Sequence, residues 1–294
     1  MRRHAALASL LVLAAVCCAS CAGAVASVHA PVHRQRPALK SKTRAKKPAK
    51  ARPKTPPARP DLAAVLAPEI RDDGGHFAVA VDDLTTGSQQ AYDGTGEFVT
   101  ASIVKVDILV TLLYQAQDAG QALTDEDQDL ATTMIENSDN DSASDLYDDV
   151  GGAEAIDGAN RACGLSETTV GTDGYWGLTT TTVDDQIRLL RVVFTRPSQL
   201  SPASQDYIQS LMSQVEADQQ WGVTAAADPG TRSMVKNGWL PNPDLWEINS
   251  IGEVTHGGQR LLIAVLSDDN ASEASGISLV EDVARTAANA MSGS

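Results

Sequence analysis

Ser102-Ile103-Val104-Lys105, with Val106-Asp107-Ile108-Leu109-Val110-Thr111-Leu112-Leu113 directly behind it, is the stretch on which the reading of this chain turns. The pattern predicts a helix running to about Gln117. Its apolar residues cover more than one face, which predicts a central and buried element. A serine and a lysine three positions apart face the same way on a helix. Serine is a poor nucleophile until a base takes its proton. A lysine among Ile103, Val104, Val106 and Leu109 loses hydration, which favours its neutral form and lets it serve as that base. The start of a helix adds unpaired N–H groups and a dipole that favour a developing oxyanion. Taken alone, the tetrad also reads as a capping serine and a chance lysine.

Two further motifs lie downstream. Ser138-Asp139-Asn140 follows Ile135-Glu136-Asn137 between two expected helices, where by itself it would be a cap. Lys236-Asn237-Gly238 falls on an expected strand, Ser233 to Trp239. In this order the three resemble the S-x-x-K, S-D-N and K-T-G motifs of serine β-lactamases and penicillin-binding proteins, with asparagine in place of the threonine. The resemblance covers nearly all of residues 61–294.

The resemblance implies roles. Ser102 would be the nucleophile and Lys105 its base. Ser138 would carry a proton to the leaving group, and Asn140 would hold Lys105 and a substrate amide. Lys236 would raise the positive potential around Ser138 and a substrate carboxylate. Gly238 would let substrate approach the backbone, and the N–H groups of Ser102 and Trp239 would form the oxyanion hole. Asn237 would meet the substrate carboxylate in place of a threonine hydroxyl. Trp239 would narrow the groove or stack on a substrate, and Asp139 would brace its loop. Class A members also carry a loop glutamate that activates the deacylating water. Here Val170 to Leu178 contains Asp173 but no glutamate, Trp176 stands near where that acid would fall, and Glu167 lies too early. The acylation residues are expected, and the hydrolytic glutamate is not.

Composition divides the chain into three. Residues 1–26 read as a signal peptide: Arg2 and Arg3, an apolar run from Ala5 to Cys18 too short to span a membrane, and the site Ala24-Val25-Ala26. The alternative is lipid attachment at Cys21, which would anchor the protein at the cell surface. Residues 27–60 hold eleven Lys/Arg, many prolines and no acid, which predicts a disordered linker. That linker is either a solvated spacer or a contact for anionic wall polymer or lipid headgroups. From Asp61 onward stand all 38 acids and 10 Lys/Arg, a net charge of −28 that disfavours polyanionic partners. Export argues against nucleic acid. Cys163 is the only cysteine beyond the signal and reads as a small buried hydrophobe. No metal-ligand spacing is present, no cofactor is expected, and His256 reads as a surface residue.

Within 61–294 the pattern predicts a helix capped by Asp61, strands around Phe77–Val81 and Ala91–Tyr92, and helices through most of 124–215. Strands then return at 233–239, 246–256 and 260–267, the last two joined by Gly257-Gly258, and a helix closes at 277–291. Strands at both ends with helices between predict an α+β domain: an antiparallel sheet, flanking terminal helices and an inserted helical lobe, as in the β-lactamase fold. The expected protein is an exported monomeric serine hydrolase or acyl-transferase acting through a Ser102 acyl-enzyme, on a peptide, amide or ester that could be wall-derived. The alternatives are a true β-lactamase and a non-catalytic peptidoglycan- or ligand-binding module on the same scaffold.

Overall fold

Asp61 accepts the Ala63 N–H and so caps the first helix, α1 (Leu62–Leu66). In the computed structural model the described residues are 61–69 and 75–292. The expected signal and linker, and the expected end of the first helix at Ile70, lie outside them. Strands β1 (His76–Asp83) and β2 (Ser88–Tyr92) follow, then a short strand β3 (Phe98–Val99). A 3₁₀ turn, Ala101–Val104, leads into α2 (Lys105–Asp118). The helical lobe contains α3 (Asp125–Glu136), α4 (Asn140–Asp149) and α5 (Gly152–Cys163). After β4 (Thr180–Thr181) come α6 (Val183–Phe194) and α7 (Pro202–Met212). The chain returns to the sheet with β5 (Met234–Asn242), β6 (Leu245–His256) and β7 (Gln259–Asn270), and ends in α8 (Glu273–Ser292).

The five-stranded sheet has the order β2-β1-β7-β6-β5, antiparallel throughout. Its two ends in sequence therefore meet in the middle, where β1 pairs β7, with Val79 opposite Val265. Alternation along each strand feeds two cores. Ala78 and Ala80 of β1, with Leu262, Ala264 and Leu266 of β7, face α2, α6 and the helical lobe. Phe77, Val79 and Val81, with Leu261, Ile263 and Val265, face α8 and α1. The alanines that read as the minor face of β1 are thus as buried as the valines, because helices cover both sides. Helix α8 lays Leu279, Val280, Val283, Ala284, Ala287 and Met291 on the sheet. Each large apolar side chain so buried contributes about 1.5–3 kcal/mol.

Local signals set most element ends. Thr124 and Asp127 form a reciprocal capping box on α3, and Thr182 accepts the Asp185 N–H at the start of α6. Gly257 and Gly258, both left-handed (φ +56° and +74°), make the turn between β6 and β7. Helix α2 fills the middle of the lobe: every residue from Lys105 to Leu113 is buried.

Candidate active site

Ser102 stands on the 3₁₀ turn rather than in the helix proper, and Lys105 is the first residue of α2. The residue before the serine, Ala101, has φ +47°, and Ser138 has φ +57°. Non-glycine residues in the left-handed region carry backbone strain, and such residues gather at functional sites. The turn is fixed from below by Asn249 of β6, whose amide donates to the carbonyls of Val99 (2.8 Å) and Thr100 (3.0 Å). The edge strand β5 closes on it from the side. A Cβ at Gly238 would lie 2.6 Å from Thr100 O, 2.8 Å from Ser102 N and 2.9 Å from Ile103 N. Only glycine permits that approach, which sets the β5 backbone beside the Ser102 N–H.

Two lysines converge on one hydroxyl. Lys105 Nζ donates to Ser138 O (2.6 Å), Ser138 Oγ (3.2 Å) and Asn140 Oδ1 (2.7 Å). Lys236 Nζ donates to the same Ser138 Oγ (2.9 Å) and to Asn237 O (2.9 Å). Both lysines are fully buried. Burial lowers the Lys105 pKa to about 7, with the charge of Asp139 opposing the shift. Burial, and then the charge of Lys105, hold Lys236 well below the usual lysine range. Asp139 caps α4 by accepting the Ser142 N–H (2.7 Å), and that bond keeps its carboxyl ionised to lower pH. Lys105 is therefore available as a neutral amine near neutral pH, with Ser138 as a hydroxyl relay beside it.

Strand alternation separates the rest of the third motif. Lys236 and Gly238 face the serine turn and the helical lobe. Val235, Asn237 and Trp239 turn to the other face, where Val235 is in the core beneath α8. Asn237 is fully buried, and its amide donates to the carbonyls of Gln219 (2.7 Å) and Trp221 (3.1 Å). The expectation that this side chain meets a substrate carboxylate is corrected: both donors are spent on the 219–221 segment. Trp239 packs edge-on against Trp221, with centroids 6.1 Å apart, and the indole sits on the same face as Asn237.

Trp176 is buried, its Nε1–H donates to Ser144 Oγ (3.1 Å), and its ring lies over Lys105 with Nζ 5.0 Å from the centroid. Glu167 instead contacts Thr182, and Asp173 is exposed. Cys163 is buried and its thiol is pushed up to about 11, first by burial. His256 is half-buried, with Nδ1 2.7 Å from Ala226 O, so it is not a free surface group. Among the described residues no group of three or more His, Cys, Asp or Glu is placed to hold a metal ion.

A model of the Beta-lactamase enzyme family matches residues 59–128 and 126–291. The chain belongs to that family. Solved structures of beta-lactamases and of PBP-A share its fold. A class A beta-lactamase from Bacteroides cellulosilyticus superposes with a TM-score of 0.67 at 17% identity, over 79% of this chain and 96% of that one. A point mutant of PBP-A, solved as an acyl-enzyme complex with penicillin-G, gives 0.69 at 21% identity, over 79% and 96%. TLA-1 extended-spectrum beta-lactamase gives 0.71 at 16% identity, over 78% and 98%. In sequence, the "Putative lipoprotein LppW" of Mycobacterium bovis is 30% identical over 115 residues, 39% of this chain and 37% of that protein. The match to that relative thus spans little more than a third of its length.

Within this beta-lactamase-family scaffold the sequence reading missed two contributors. Asn249 fixes the serine turn, and Gln219 bonds the loop before Ser138. Asn249 had a weak signal, an asparagine between Ile248 and the Ser250-Ile251 pair in the middle of a strand. Gln219 had none, because its contacts are distant in sequence.

Proposed function

We propose that this member of the beta-lactamase family is an extracytoplasmic serine hydrolase or acyl-transferase that works through an acyl-enzyme on Ser102. The observation that carries the reading is the meeting of Lys105 and Lys236 at Ser138 Oγ beside the Ser102 turn. In the first step neutral Lys105 takes the Ser102 hydroxyl proton, and Oγ bonds to the substrate carbonyl carbon. The N–H groups of Ser102 and Trp239 receive the oxyanion. As the tetrahedral intermediate collapses, the carbon–nitrogen or carbon–oxygen bond breaks, and the proton passes from Lys105 through Ser138 to the leaving atom. An ester on Ser102 and a free amine or alcohol remain. Asn140 holds Lys105 and the substrate amide.

The second step needs an activated water or acceptor amine. The buried Trp176 ring at Lys105, with no glutamate in the loop, favours slow release of a β-lactam and a different natural acyl donor, a peptide, amide or ester of wall origin. An acyl-enzyme with penicillin-G on the same fold, in the PBP-A mutant, supports the first step. The name of the mycobacterial relative supports export with a lipid anchor, which Cys21 would provide, over free secretion after Ala26. The basic segment 27–60 would then be a tether reaching anionic wall or membrane surfaces. No helix of the described residues is long and apolar enough to cross a membrane.

Mass spectrometry of the purified protein after incubation with a penicillin tests the proposal. A stoichiometric adduct mapped to Ser102 is expected, and unmodified protein, or an adduct on another serine, overturns it.

A further inference from the structure

The residue that departs from the family motif has a different task in this chain. The segment 216–224 lies between the loop that carries Ser138 and the strand that carries Lys236. On the loop side, the Gln219 amide donates to Asn137 O (3.0 Å), Asn137 Nδ2 donates to Glu216 Oε1 (2.5 Å), and the Glu216 N–H donates to Glu136 O (3.0 Å). On the strand side, the Asn237 amide donates to Gln219 O and Trp221 O, and the Val223 N–H donates to Ser250 Oγ (2.9 Å). Gln219 is therefore held at both ends: its side chain bonds the residue before Ser138, and its main chain bonds the residue after Lys236.

The segment is also packed: Val223 is fully buried in the core beneath α8, and Trp221 lies edge-on against Trp239. On one side Gln220 and Thr224, with Val215 and Val235, line a cavity of about 470 Å³. Gly222 takes a left-handed φ of +79°, and a Cβ there would meet Ser250 Oγ at 2.2 Å and Asn237 Oδ1 at 3.3 Å. The chain thus passes closely over Asn237, where the two amide hydrogen bonds add to the packing. Asn237 also uses its own carbonyl to receive Lys236 Nζ. One residue fixes the second lysine through its main chain and the bridging segment through its side chain.

The geometry points to Gln219 and Asn237 as positioning residues: a clasp that sets the distance between Ser138 and Lys236, and so the relay they share with Lys105. A threonine at 237 has one short hydroxyl and could not reach two carbonyls two residues apart. The clasp as a physical link is independent of the acyl-enzyme reading, while its effect on catalysis rests on it.

Hydrogen exchange of the full chain at pH 7, read on peptides covering 137–142, tests the link without requiring activity. Gln219→Ala and the isosteric Gln219→Glu should each raise exchange there about tenfold, because neither side chain, the carboxylate included, can donate to Asn137 O. Gln220→Ala, in the same turn but bonded to Val215 O, should leave those amides as they are. In parallel, the rate of Ser102 labelling by a penicillin is followed across pH. Gln219→Ala, Gln219→Glu and Asn237→Thr should slow it about tenfold and displace the midpoint of its pH profile. The Gln219→Ala/Asn237→Thr double variant should be no slower than the worse of its two single variants, since both break one link. Exchange within twofold of wild type in either folded Gln219 variant overturns the clasp, as do additive effects in the double variant. Raised exchange in a protein that no penicillin labels keeps the clasp and removes the acyl-enzyme reading. The isosteric variant carries the test if the alanine variant does not fold.

Discussion

The indole of Trp176 lies over the amine of Lys105, with Nζ 5.0 Å from the ring centroid. An aromatic face stabilises the charged form of a lysine by about 0.5–2 kcal/mol, which raises its pKa against the depression that burial imposes. The 170–178 stretch that carries this ring holds no glutamate, and an indole cannot take a proton. A chromogenic cephalosporin should therefore give a stoichiometric burst and then a nearly flat phase. Trp176→Ala should hasten the slow phase by opening the space to water. Sustained rapid turnover by the wild type would count against this account.

In the proposed mechanism Lys105 sets the pH dependence of acylation. Its folded pKa is about 7, so the neutral base accumulates as pH rises through that value. Acylation of Ser102 should rise with pH and level off above about 8. Lys105→Ala should slow it by ~10²–10⁴-fold, the usual contribution of a general base. Stopped-flow labelling across pH measures both; a flat profile would show that another group takes the proton.

Gly238→Ala should be severe. The new Cβ meets three backbone atoms, Thr100 O, Ser102 N and Ile103 N, none of which can rotate away. Overpacking of this kind typically costs about 1–3 kcal/mol, and relief would push the strand off the serine turn. Thermal melting should show a modest loss of stability alongside a much larger loss of Ser102 labelling. Labelling as fast as wild type would mean that the turn and strand need not touch.

Asp107 lies deep in the lobe, fully buried, and neither carboxylate oxygen makes a hydrogen bond of ordinary length and angle, although the Asn160 amide lies near enough to act on it. Burial raises its pKa from 3.8 to about 7; the Asn160 amide offsets part of this, and the charge of Asp185 adds to it. Below pH 3.8 both folded and unfolded forms are protonated, so the shift has no effect on stability. Between the two values only the unfolded chain ionises, so stability falls as pH rises, and the loss is complete above about 7. Asp107→Asn should stabilise the protein at pH 8, by on the order of 2–4 kcal/mol, and far less at pH 4.5. Denaturant unfolding at the two pH values measures the difference, and an equal effect at both would refute the assignment.

Much of this protein was legible in one dimension. The buried helix behind Ser102, the caps at Thr124 and Thr182 and the turn at Gly257-Gly258 follow from patterns a few residues long, because caps and turns are local hydrogen-bonding problems. The direction of Asn237 was misread: it shares a strand face with Val235, which turns from the serine, and not with Lys236. Residues far apart in sequence had no such signal. The pairing of β1 with β7, the amide of Asn249 beneath the serine turn and the double hold on Gln219 depend on chain segments that meet only when the sheet closes and the lobe docks on it. The sequence determined which groups could do acyl-transfer chemistry, since nucleophile, base and relay are residue types in a fixed order. The tertiary structure decided which of them share a hydroxyl, which lysine loses its water and which side chains turn away. Those outcomes depend on burial and on distances of about three ångströms, the range over which a hydrogen bond forms.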